Sequence, residues 1–385
     1  MADYTTIDDP SAYFQVLTYR GDSTSTTTAD RTLTNDGNSD LQPDLVWIFN
    51  RDTATNSGQR LWDSTRGVGE NKGIQSSSNG AEGLGNDPEY GYVNTLHSDG
   101  FGVRAGANDS NGRWTTDRGE GGGDKYVAFQ WKANGGTTTS ATTTGGIASA
   151  TRQVDSTSKF SIIGYTCEST QAAGTIEHGL GVAPEFMMIK RRPNNDNWAV
   201  YHHKNTAAPE TDLLSLNTTN ATTDHTGPWN DTAPTSSVFT LGTLSDVNEG
   251  SGETYICYAW AGVQGYSKFG SYEGNGSADG TFVYTGFKPA WIMVKNTEST
   301  ESWVIYNDEM PGYNQVGQKL APNLADDQIP AGIGGPGYND IDIYSNGFKY
   351  RTNNAATNES GSDHIYAAFA KEPFVTSGEV PATAV

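Results

Sequence analysis

An all-β fold, built as tandem antiparallel β-sandwich modules with jelly-roll topology, is what this 385-residue sequence predicts. Two observations point to the class. β-Branched and aromatic residues come in short alternating bursts separated by Gly, Asn and Asp clusters, the pattern of strands joined by turns. No segment spaces its apolar residues as an amphipathic helix does. A third observation points to the tandem arrangement: one set of landmarks recurs three times, so a single small β unit is repeated.

Each unit opens on a strand ending in tyrosine, at Tyr19, Tyr165 and Tyr272. A proline-led run follows: Pro43 leads into Leu45, Val46, Trp47 and Ile48, Pro184 into Phe186, Met187, Met188 and Ile189, and Pro289 into Trp291, Ile292, Met293 and Val294. A strand that is apolar at consecutive positions needs cover on both faces, which places it centrally in a sheet or under a neighbouring module. The next strand carries an aromatic and then a polar residue, Trp62-Asp63, Tyr201-His202 and Tyr306-Asn307. A Gly/Ser turn then delivers Phe101, Phe239 or Phe348. The closing strand starts after an acidic residue and ends at Trp131, Trp260 or Phe369. Val127, Phe129 and Trp131 share one face of it, as do Ile256, Tyr258 and Trp260, because strand side chains alternate with period two. About seven such bursts in roughly 100 residues match the size of one sandwich.

The modules are expected at 1–133, 158–264 and 265–376, with a tail at 377–385. Residues 134–157 contain GGTTTSATTTGGIASAT. Such Gly/Thr/Ser sequence cannot offset its ordering entropy unless it pairs with something else, and it reads as a linker. The join near 263–268 is short, so the second and third modules are expected to pack closely while the first takes its own angle.

With 24 Lys and Arg against 45 Asp and Glu, the formal net charge is −21. That charge opposes binding to nucleic-acid phosphates and anionic membrane surfaces, and nucleic acid is set aside as a partner. Apolar runs of four or five residues fall far short of the roughly 20 that span a bilayer, so no membrane insertion is expected. The N-terminus lacks the basic-then-apolar pattern of a signal peptide. Cys167 and Cys257 are too few for a disulfide framework and are expected as reduced thiols.

No residue pattern motivates catalysis. There is no nucleophile elbow, and among 45 acidic residues no carboxylate pair stands out. His202 and His203 are adjacent, so on a strand they point to opposite faces and read as a solvated pair. No transition metal and no cofactor is expected. Two turns, 108–112 and 246–250, have calcium-compatible oxygens but not the EF-hand spacing, and closing hairpins is their better account. Candidate ligand contacts are loop aromatics beside Gly, Pro or Asn: Trp114, Trp229, Tyr313 and Tyr338. Sugar rings stack their C–H faces on such rings while nearby amides and carboxylates meet the hydroxyls. The structural alternative is an aromatic that closes the end of its own sandwich or packs against a neighbouring subunit.

Several segments together carry a resemblance: TTIDDPSAYFQ, LQPDLVWIFNRD, WDSTRGVG, HGLGVAPEFMMIKRR, PTSSVFTLG and GYSKFGSYEGNGSADGTFVYTGFKPAWIMVKN. Through them the chain resembles the repeat-containing tail-fibre or virion structural proteins of marine tailed bacteriophages. The resemblance implies lectin-like sandwich domains on an exposed part of a virion, with other virion proteins as partners. It also implies self-association, a homotrimer first, and a host cell-surface glycan as ligand. A decoration protein of capsid or neck and a glycan-degrading tailspike are the alternatives. The resemblance hands over no catalytic residues.

Overall fold

Residues 4–22, 30–52, 58–83, 90–106, 116–117, 123–310, 314, 316–325, 328–330, 340–378 and 380–381 are described by a computed structural model of the chain. Each of the three units folds as a main antiparallel sheet backed by a smaller one. In the first, the opening strand Phe14–Arg20 pairs with the closing strand Lys125–Trp131. The closing strand pairs in turn with the proline-led strand Leu45–Asn50, which is followed by Arg60–Asp63. The second unit repeats this order with Phe160–Cys167, Thr254–Trp260, Phe186–Arg191 and Ala199–His202. The third does so with Ser267–Glu273, Asp363–Pro373, Phe287–Asn296 and Val304–Asn307. Even the register coincides, since Leu45 faces Trp131, Phe186 faces Trp260 and Trp291 faces Phe369.

The smaller sheets are Asp30–Leu33, Phe101–Arg104 and Tyr92–Leu96, then Thr143–Gly145, Gly174–Glu177 and Val238–Leu241, then Phe282–Tyr284, Gly347–Tyr350 and Ile341–Tyr344. The pairings of opening, closing and proline-led strands are those of a jelly roll. After the proline-led strand, however, the chain turns back as a hairpin within the same sheet, where a jelly roll crosses to the other one.

Period-two alternation sends each main sheet into two cores at once. One face packs on its own small sheet, through Val46 and Ile48, Met187 and Ile189, or Ile292 and Val294. The opposite face, with Trp47, Met188 and Met293, enters a single core shared by all three units. At its centre the ends of the three closing strands meet edge to face: Trp131 lies 6.0 Å from Trp260 and 5.6 Å from Phe369, and Trp260 lies 6.4 Å from Phe369. The three main sheets therefore enclose one core as the sides of a prism do. The covering that the proline-led strands require is supplied by neighbouring units.

Two expectations are corrected here. The first unit has no angle of its own, because its inner face belongs to the shared core. The segment 134–157 is not a linker: Ile147–Asp155 pairs with the opening strand of the second unit, and Thr139–Ala141 pairs with Ile147–Asp155. The main sheet of the second unit thereby reaches eight strands. Ile147 and Ala150 are buried there, and Gln153 donates to Ser64 and Thr65 of the first unit at 2.7 and 2.6 Å. Threonine-rich sequence is strand-forming once an edge is offered to it.

Polar groups lock the seams. Asp63 of the first unit pairs with Arg66 and accepts from the Tyr258 hydroxyl of the second at 2.7 Å, all of them buried. At the equivalent position of the second unit, His202 Nε2 lies 3.1 Å from the Tyr366 carbonyl of the third, while its Nδ1 accepts from the Lys204 amide. Burial holds the His202 imidazole down at about 3, so it stays neutral. His202 is thus a seam residue and not half of a solvated pair. The N-terminal segment returns to the third unit: Tyr4 donates to the Gly286 carbonyl at 2.7 Å, and Asp8 accepts from the Ser377 amide at 2.6 Å.

Candidate functional site

Repetition of one fold makes the differences between copies informative. On the small sheet of the third unit, Tyr284, Gly347 and Tyr344 lie in one cross-strand row, and Phe282, Lys349 and Asp342 in the next. Val283, Phe348 and Ile343 point inward to the core, so these two rows form the outer face. Phe282, Tyr284 and Tyr344 are 45%, 48% and 36% exposed. A Cβ at Gly347 would come within 2.1 Å of the Val283 carbonyl oxygen and 3.1 Å of the Phe282 ring, so only glycine leaves room for that ring between the two tyrosines. Phe282 and Tyr344 meet edge to face at 6.0 Å. Arg351 bonds both Asp342 and the Tyr344 hydroxyl, and Lys349 pairs with Asp279, which orders the polar border.

The corresponding faces of the other units are polar. In the second unit Thr175 and Thr240 take the places of Phe282 and Lys349, with Thr144 on the other side of Thr175 and their hydroxyls 2.7 Å apart, while Glu177 takes the place of Tyr284. In the first the row matching Phe282 and Lys349 is Thr32, Gly102 and Thr95 beside Asp30 and Arg104. Among the described residues, every exposed large aromatic lies on the third unit.

Grooves run along the three seams. Between the first and second units, Thr65, Arg66, Ser149 and Arg192 line a cavity of about 210 Å³. Between the first and third, one of about 200 Å³ holds Asp308, whose carboxyl burial lifts to about 6, with Lys371 bridging it to Glu309. The groove between the second and third units is the largest of these, at about 480 Å³, and Tyr284 lines it together with Tyr4, Glu185, His203, Lys204 and Lys268. Small-ligand sites span about 300–1,000 Å³. Lys268 donates to the Tyr284 carbonyl at 2.6 Å and sits 5.3 Å over its ring. The His203 ring reaches the Phe269 carbonyl at 2.7 Å. One tyrosine thus joins the aromatic face to the groove.

Of the loop aromatics singled out from the sequence, Trp229 is corrected: it is 1% exposed, donates to the Asp212 carbonyl at 2.8 Å and packs edge to face on Tyr201. It closes the end of its own sandwich, so its ring is unavailable for stacking. Trp114, Tyr313 and Tyr338 lie outside the described residues, as does the 108–112 turn. In the 246–250 turn, Asp246 accepts from the Asn197 amide, and Asn248 donates to the Ala172 and Gly242 carbonyls, so these side chains tie the turn to neighbouring segments. Among the described residues no cluster of three potential metal ligands occurs. Cys167 and Cys257 are free and buried, and burial pushes the Cys167 thiol up to about 11. Phe282, Tyr284 and Tyr344 were passed over because they alternate within strands. Their signal was available: Phe282 falls where the first and second units have Thr32 and Thr175, and Tyr284 falls where the second has Glu177.

Strand order, shared core and seam grooves define an all-β protein of three fused and equivalent sandwiches. A family model described as a domain of unknown function, DUF7483, matches residues 9–373, and the chain belongs to that family. The match runs through all three units, in keeping with their single shared core. No curated protein and no solved structure matches the chain.

Proposed function

We propose that this protein is an adhesive structural component of a phage particle, and that it holds a cell-surface saccharide on the outer sheet of its third unit. The observation that carries the reading is the broken equivalence of the three outer sheets: Phe282, Tyr284 and Tyr344 stand exposed where the other copies present threonines and charged residues. Aromatic faces left open to solvent are costly in water and rational against the C–H face of a sugar. The hydroxyl-rich and carboxylate-rich border meets the sugar's own hydroxyls. A non-enzymatic role needs nothing from the buried thiols or seam histidine. Gathering several copies on a particle multiplies such weak sites, with avidity gains of about 10² to 10⁴.

A glycan array probed with the purified chain tests this. Binding to at least one glycan class is expected, with Tyr284→Ala and Tyr344→Ala each weakening it about five- to thirtyfold, the worth of one lost stacking contact of about 1–2 kcal/mol. Both side chains are exposed, so melting temperature should hardly move. Unchanged array signals in the double variant would remove the site from the proposal.

A further inference from the structure

We infer that the saccharide carries an anionic group, a carboxylate or a sulfate, which Lys204 and Lys268 engage in the groove between the second and third units; this rests on the saccharide-binding reading above. The groove wall carries both lysines and one carboxylate, Glu185, which lies 3.6 Å from His203. Among the described residues neither lysine has a carboxylate partner, whereas Lys125, Lys319, Lys349 and Lys371 each sit on one. The seam is therefore locally positive on a chain whose formal net charge is −21. Isolated positive charge beside an aromatic on an otherwise acidic surface selects against neutral ligands through electrostatic complementarity.

The geometry connects charge and ring. An ammonium has three donors, and the Tyr284 carbonyl takes one from Lys268 at 2.6 Å, which fixes the head group and leaves two for a ligand. A pyranose laid against Tyr284 brings its ring substituents beside that head group. Lys204, contributed by the turn that follows His203, is exposed on the groove wall, and its ammonium has no hydrogen-bond partner among the described residues. Repulsion of an anionic polymer by the acidic surface elsewhere confines its binding to this seam.

Titration calorimetry of the full chain with three oligosaccharide probes decides the matter: an oligogalacturonate, a sulfated galactan oligomer and a neutral galactan oligomer. At least one anionic probe should bind about tenfold more tightly than the neutral one, and the preference should shrink as ionic strength rises and screens the pair. The two anionic arms separate carboxylate from sulfate. Lys204→Gln, which removes no hydrogen bond to the described residues, should lower anionic affinity about three- to tenfold and leave the neutral probe unchanged. Lys268→Gln should do the same, while Tyr284→Ala should weaken all probes alike. Equal affinity for neutral and anionic probes, or indifference to both lysine substitutions, overturns the anionic inference and leaves saccharide binding standing. Failure of every probe here and on the broad array overturns the saccharide reading itself.

Discussion

At the scale of single residues, one position shows what threefold repetition permits. Asp63, His202 and Asn307 occupy the same place in their units, each directly after a buried aromatic and each facing the start of a proline-led strand. Asp63 answers Arg66 and Tyr258, and His202 answers the Tyr366 carbonyl. Asn307 is fully buried, and among the described residues neither its amide oxygen nor its amide nitrogen has a hydrogen-bond partner. The three therefore respond differently to the same change. Asp63→Leu leaves the buried Arg66 with Glu82, at 3.4 Å, as its remaining carboxylate partner, and should cost about 3 kcal/mol. Asn307→Leu removes two unpaired polar groups at nearly constant volume and should be neutral or stabilising by about 1–2 kcal/mol. Denaturant midpoints of the two variants check both, and a large loss for Asn307→Leu would show that its amide is served by an ordered water.

Among the elements, the strand Ile147–Asp155 has the most to say about reading sequence. Its hairpin with Phe160–Cys167 is closed by Asp155, which accepts from the Thr157 and Ser158 amides, and by Lys159 at a φ of 57°. Replacing residues 139–155 by a Gly/Ser chain of equal length should leave the edge of Phe160–Cys167 bare and lower the melting temperature, whereas a true linker would tolerate the exchange. Differential scanning calorimetry distinguishes the two. The pairing partners of this segment are strands on either side of it, Phe160–Cys167 and Thr139–Ala141, and composition alone gave no sign of them. By contrast, the proline-led strands were legible because their unbroken apolar runs admit only a doubly covered position. Trp229 misled because a tryptophan flanked by Gly, Pro and Asn looks the same whether its loop opens outward or folds over the sandwich end. Phe282 and Tyr284 were hidden for the opposite reason: alternation assigns them a face, but whether that face is covered is a property of the neighbouring chain and not of the strand.

For the whole molecule, the shared core makes independence of the units impossible. An isolated unit would expose the inner face of its main sheet, with Trp131, Trp260 or Phe369 in water. The intact chain should therefore unfold in one transition whose calorimetric and van't Hoff enthalpies agree, despite a length at which separate melting of domains is common. Phe369→Ala should lower that single transition by about 3–5 kcal/mol rather than release the third unit alone. Two resolved transitions would contradict the prism arrangement. The clasp between the N-terminal segment and the third unit, from Tyr4 to Gly286 and from Asp8 to Ser377, carries the logic one step further. With both ends of the described fold fastened at one spot, the circle of sandwiches has no privileged beginning. A circularly permuted polypeptide, spliced across that clasp and severed in the exposed turn at 137–138, would keep every strand pairing it had before.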